Sequence, residues 1–87
     1  MGMSYTVVYL EDVVRKDIPS LDATTRDSIK LTIEEKLTTN PVEFGKPLQY
    51  SLKGCRRLRV GDWRVIYQLS GQTVTIVKIG HRKEIYR

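Results

Sequence analysis

The chain has one cysteine, one histidine and no long apolar run, and each scarcity narrows what it can be. A single thiol, Cys55, cannot close an intramolecular disulfide, which fits a reducing compartment. One cysteine plus His81 falls short of the roughly four ligands that a structural zinc site takes, so no metal or other cofactor is expected. No stretch approaches the roughly 20 apolar residues of a membrane helix. Residues 1–10 lack the basic start and apolar centre of a secretory signal. The expectation is a cytoplasmic protein with no membrane partner. Cys55 sits among basic residues, which favours a thiolate. With His81 as its only conventional base, it still reads as a strand filler rather than a nucleophile.

What is present is charge, and it is unevenly spread. The 87 residues carry a net +5. Residues 53–87 hold nine Lys or Arg and only two acids, Asp62 and Glu84, whereas residues 1–52 hold six basic and eight acidic residues. The basic segment interleaves Arg56, Arg57, Arg59, Arg64, Arg82 and Arg87 with Trp63, Tyr67 and Tyr86. Arginines and aromatics on strands make a surface for a phosphate backbone and stacked bases. The alternative is a solvated face with an excess of arginine.

Periodicity gives the elements. Residues 4–10 alternate β-branched and aromatic types and predict a strand. Leu10, Val14 and Ile18 recur at intervals of four and predict one face of a short helix, which Pro19 stops. Acids in its first turn, Glu11 and Asp12, suit the helix dipole. A second helix is predicted over 23–38, with Asp22 as N-cap. Its buried face would be Ile29, Ile33 and Leu37, with Leu31 beside them. Residues 41–51 read as a loop punctuated by Gly45 and Pro47. Three strands follow, 54–60, 63–69 and 73–79, joined at Gly61-Asp62 and near Ser70-Gly71. Gly80 is expected to end the last one, leaving 81–87 as a tail. The expected fold is one α+β domain over 1–87, in the order β-α-α-β-β-β. Two helices from the N-terminal half would cover one face of a mainly antiparallel four-stranded sheet.

Alternation sorts the arginines. Arg57 and Arg59 share a face, and Leu58 and Val60 point the other way. Arg56 has the parity of the core but lies near the strand start, where it can reach solvent. Arg64 shares its side with Ile66 and Gln68, leaving Trp63, Val65, Tyr67 and Leu69 as the more apolar set. Arg57, Arg59 and Arg64 therefore converge on the sheet face without helices. The tail with His81, Arg82 and Tyr86 is placed to close over it.

The run from Leu52 to Tyr67 (L-K-G-C-R-R-L-R-V-G-D-W-R-V-I-Y) resembles the RelE/ParE superfamily of toxins from type II toxin–antitoxin modules. That family typically carries "L-x-G…R-x-R-x-G-x-[YW]-R-[VL]-[IV]-Y". The ending from Ile79 to Tyr86 is similar to its "G-[HK]-R-x-x-x-Y" close. The family divides by activity, and the RelE-like branch cuts messenger RNA on the ribosome without a metal. The resemblance implies functional roles for Arg64, Arg82 and Tyr86. Arg57 and Arg59 stand where RelE nucleases carry lysines, and an arginine is a poor proton acceptor. It also implies a RelB-like antitoxin, whose acidic helical segment would suit a basic groove.

Such cleavage needs a base for the 2′-OH, cations for the phosphoryl oxygens and an acid for the departing 5′-oxygen. The expected catalytic set is Arg64, His81, Arg82 and Tyr86, with His81 as candidate base or acid because histidine is the one side-chain type whose unperturbed pKa is near neutrality. A structural histidine at a strand end is the alternative. Arg56, Arg57, Arg59 and Lys53 are the expected RNA contacts, on the message or on ribosomal RNA. Two rival functions stay open: a ParE-like DNA gyrase inhibitor, and a non-catalytic RNA- or ribosome-binding module.

Overall fold

The computed structural model describes residues 4–48 and 54–85. A five-stranded mixed sheet forms one layer, in the order β1-β5-β4-β3-β2. Its strands are β1 (Thr6–Tyr9), β2 (Lys46–Pro47), β3 (Cys55–Val60), β4 (Trp63–Ser70) and β5 (Thr73–His81). β1 runs parallel to β5, and the other neighbours are antiparallel. The expected four strands thus become five, because Lys46–Pro47, predicted as loop, pairs with Arg57 and Arg56. A two-residue strand containing proline has no period to read, and its proline and shortness suit a sheet edge.

The leading helical segment departs from its predicted face. It winds as a π-helix over Val13–Asp17 and closes with a 3₁₀ turn, Ile18–Ser20. A wider turn brings residues about five apart into line. Val13 is therefore fully buried, and Ile18 packs on the core with it. Leu10 and Val14, assigned to the buried face by the interval of four, are exposed. The second helix follows its expectation more closely. It runs as α1 (Ala23–Thr32) and widens into a π turn, Ile33–Leu37. Ile29, Ile33 and Leu37 are all buried, and Leu31 points to solvent. Asp22 caps α1 as predicted, accepting the Thr25 N–H at 2.7 Å. That hydrogen bonding to Thr25 holds the Asp22 carboxyl below its usual range. The cap acts at neutral pH and is lost as pH falls through the lowered value.

The core lies between the helices and one sheet face. Leu58, Val65, Tyr67, Val74, Ile76 and Ile79 meet the helices there. Beyond Leu37 the chain turns through α2 (Pro41–Phe44), with Pro41 at a first-turn position where its missing N–H costs nothing. The Tyr67 hydroxyl donates to the Pro41 carbonyl from inside the core. Burial pushes the Tyr67 phenol from 10.0 up to about 12, with the Arg56 charge opposing. An unfolded tyrosine loses its proton first, so stability falls as pH rises from 10 towards 12. The loss expected is roughly 3 kcal/mol. Alkaline titration followed by circular dichroism should show this slope, and Tyr67→Phe should remove it.

β1 stops at Tyr9, so the far half of β5 has no strand on that side. Asp17 replaces one there, its Oδ2 accepting the Ile79 N–H at 2.9 Å. Asp17→Ala strands a part-buried donor and should cost about 1–3 kcal/mol. Thermal unfolding measures the loss, and amide exchange at Ile79 should accelerate beyond that of Val74.

A candidate phosphate-binding face

Cross-strand register defines the sheet face away from α1 and the core. One row reads Arg59, Arg64, Gly80, and the next reads Lys46, Arg57, Ile66, Lys78. A third row reads Cys55, Gln68, Thr75. Five cations and no acid stand in these rows. Like charges directly opposite on a sheet destabilise it, so the Arg59–Arg64 pair is a liability unless an anion relieves it. Among the described residues, ion pairs engage Arg15, Arg26 and Arg82, and none reaches Arg59 or Arg64.

Arg64 is 5% exposed, the sole buried charged residue among those described. Its Nη1 donates to the carbonyls of Gly61 and Trp63, both at 2.9 Å. Its Nε is buried without a hydrogen-bond partner among the described residues. Gly61, at φ 61°, supplies the left-handed turn that aims its carbonyl back at Arg64. The hairpin therefore fixes one edge of the guanidinium.

The other predicted residues are distributed differently. Arg56 lies on the helix-covered side, opposite Tyr67, and its Nη1 donates to the carbonyls of Val42 (3.2 Å) and Gly45 (3.0 Å). It ties down the α2 turn, away from Arg57 and Arg59. His81 also faces the helix side. Its ring meets Trp63 edge-on, with centroids 5.5 Å apart at 82°, and Nδ1 accepts the Lys83 N–H at 3.2 Å. Trp63 itself packs on the core, as its parity predicted. Arg82 opens α3 (Arg82–Ile85) beside the hairpin. Its N–H donates to the Asp62 carbonyl at 2.9 Å, and its Nε stands 3.8 Å from Asp62 Oδ1. That ion pair is exposed and worth little on its own. Lys53 and Tyr86 lie outside the described residues.

Gly80 does not end β5. It pairs with Arg64, and a Cβ there would lie 3.2 Å from Ile85 Cγ1. The glycine makes room for α3 to fold back against the arginine-bearing face. Sequence reasoning missed Lys78 because β5 carries a bulge. Ile66 pairs with Lys78 while Tyr67 pairs with Ile76, leaving Val77 extra. One extra residue exchanges the two faces from there on. Simple alternation would have put Lys78 inward and His81 outward, and the bulge reverses both. No local sequence signal marks it.

On the helix side, a groove of about 390 Å³ is lined by Tyr9, Ile18, Leu21, Ile29, Ile33 and Ile79, with Arg26, Asp27 and Lys30 around it. Among the described residues, no three His, Cys, Asp or Glu side chains are grouped to hold a metal ion. No described helix is long and apolar enough to cross a membrane.

Comparison with known proteins places the sequence and the fold. Residues 7–86 match the family described as ParE toxin of type II toxin–antitoxin system, parDE. The chain is 31% identical over 87 residues to toxin RelG of Mycobacterium tuberculosis, covering 98% of this chain and 99% of that protein. It is 34% identical over 74 residues to toxin RelE3 of Methanocaldococcus jannaschii, covering 82% and 84%. It superimposes with a TM-score of 0.85 and 27% identity on a chain of the RelBE2 toxin–antitoxin complex of M. tuberculosis, covering 94% and 95%. The chain therefore belongs to the RelE/ParE superfamily and is a toxin of the type II toxin–antitoxin class.

Proposed function

We propose that this toxin is a ribosome-dependent endoribonuclease that cleaves messenger RNA, works without a metal ion, and is held in check by a RelB-like antitoxin. The observation that carries the reading is the Arg59–Arg64 pair, two like charges facing each other on a sheet with no acid in their rows. A phosphodiester seated there relieves the repulsion. It would also meet the Arg64 guanidinium already oriented by the hairpin carbonyls. Charge stabilisation by fixed cations is often the largest contribution to such catalysis. Arg57 and Arg59 would hold the backbone, Arg82 would add charge from the start of α3, and Tyr86 would stack on a base or orient the 2′-OH. For His81 to act as the base, its ring would have to leave Trp63 and the Lys83 amide. The apolar helix-side groove supports a partner segment, and the structural relative comes from a complex with an antitoxin.

A second reading has its own support. The matching family is described by ParE, and among the described residues the arginine rows contain no carboxylate or imidazole to act as a base. This favours a DNA gyrase inhibitor, whose action would not depend on the arginine rows. One experiment separates the two. A defined message is translated in a purified system with EDTA-treated toxin, and 5′ ends are mapped. Cuts within translated codons that require ribosomes support the nuclease. An uncut message that is still translated, together with lost supercoiling activity of gyrase, replaces it with the second reading.

A further inference from the structure

Cleavage by the 2′-OH requires a proton for the departing 5′-oxygen, and guanidinium groups part with protons poorly. His81 is turned to the helix side and is engaged there. The arginine-bearing face must therefore find its acid elsewhere. Resting on the nuclease reading, we infer that Lys78 is that acid, the group that protonates the leaving 5′-oxygen.

Three observations carry the assignment. The bulge at Val77 turns Lys78 onto the open face, in one row with Arg57 and Ile66. Its side chain leans along β5, and its Cε comes within 4.0 Å of the Cβ position of Gly80. Gly80 is the cross-strand partner of Arg64, so Lys78 leans towards the row that holds Arg64. Finally, its exposure leaves the ammonium open to a ligand. The other proton-bearing side chains described on this face are set further off. Lys46 lies on the outer strand beyond Arg57, and Cys55 lies one row away beside Gln68.

The step balances. The 2′-oxygen bonds to phosphorus and loses its proton to solvent, and the P–O5′ bond breaks. The 5′-oxygen takes its proton from the Lys78 ammonium. The products are a 2′,3′-cyclic phosphate and a free 5′-hydroxyl, and the amine regains its proton from water.

The test uses Lys78→Arg and Lys78→Met in the full chain, on ribosomes programmed with two messages. One message has an ordinary linkage at the cut site, and the other has a bridging 5′-sulfur, whose thiolate leaves without protonation. Both variants should melt like the wild type because the side chain is exposed. Both should slow cleavage of the ordinary message by about 10²-fold or more, and cleavage of the sulfur-linked message should return to near the wild-type rate. Wild-type cleavage by Lys78→Arg would overturn the inference. Equal slowing on both messages would also overturn it, because it would indicate a charge contact and not proton transfer. A wild-type protein that cuts neither message would remove the nuclease reading, and this inference with it.

Discussion

Exchange of Arg64 for methionine is expected to lower message cleavage by about 10²–10³-fold, the usual consequence of deleting one preorganised charge at a reacting oxygen. The fold should survive. Methionine fills most of the same volume, and the exchange removes the repulsion with Arg59 across the β3–β4 pair. What is lost is the pair of bonds to the Gly61 and Trp63 carbonyls, at a cost of about 1–3 kcal/mol that the relieved repulsion partly offsets. Arg64→Lys should rescue poorly. An ammonium keeps the charge, but it has no planar fork with one edge on the hairpin and another on a phosphate. Single-turnover cleavage on ribosomes, with thermal unfolding alongside, checks both halves. Cleavage near the wild-type rate in a folded Arg64→Met protein would remove this residue from the site. If the protein instead poisons gyrase, the same variant should leave that activity largely intact.

The largest effect on stability is expected at a residue with no side chain. A Cβ on Gly45 would lie 2.5 Å from Tyr67 Cζ and 2.8 Å from Cε1. Tyr67 cannot swing away, because it is fully buried and its hydroxyl is bonded to the Pro41 carbonyl. Gly45→Ala must therefore push the α2 turn off the sheet, which also pulls the Gly45 carbonyl away from Arg56. Overpacking of this kind costs about 3 kcal/mol, and in a domain of this size that lowers Tm by on the order of 10–20 °C. Adding Tyr67→Phe should restore only part of the loss, because the ring carbons overlap the new methyl even without the hydroxyl. An unchanged Tm in Gly45→Ala would show that the loop relaxes freely.

Local rules reached much of this architecture. Asp22 stands where the cap was expected, and the interval of four in Ile29, Ile33 and Leu37 found the buried stripe. The parity of Arg57, Arg59 and Arg64 found the shared face, because β3 and β4 pair without a break over those residues. The failures have local physical causes. The π winding at Val13–Asp17 moved the buried positions from Leu10 and Val14 to Val13 and Ile18. The bulge at Val77 exchanged the faces of Lys78 and His81. Arg56 has the charge of an RNA contact, but the carbonyls of Val42 in α2 and of Gly45 just after it claim its guanidinium. Asp17 reads as one more surface acid until β1 ends short and an amide 62 residues away needs an acceptor. Each miss depends on a partner distant in sequence, which periodicity within a window cannot contain.

The parallel pairing of β1 with β5 also sets an order of events during synthesis. Thr6–Tyr9 joins the sheet through Thr73–Ile76, and β5 follows the other four strands along the chain. Closing so long a loop is slow, and contacts of this kind form late. While β5 is still inside the ribosomal tunnel, Val74, Ile76 and Ile79 are missing from the core, and Lys78, Gly80 and α3 are missing from the arginine face. The nascent chain therefore cannot present a finished arginine face to the ribosome that makes it until the strand joining both ends of the sheet has emerged.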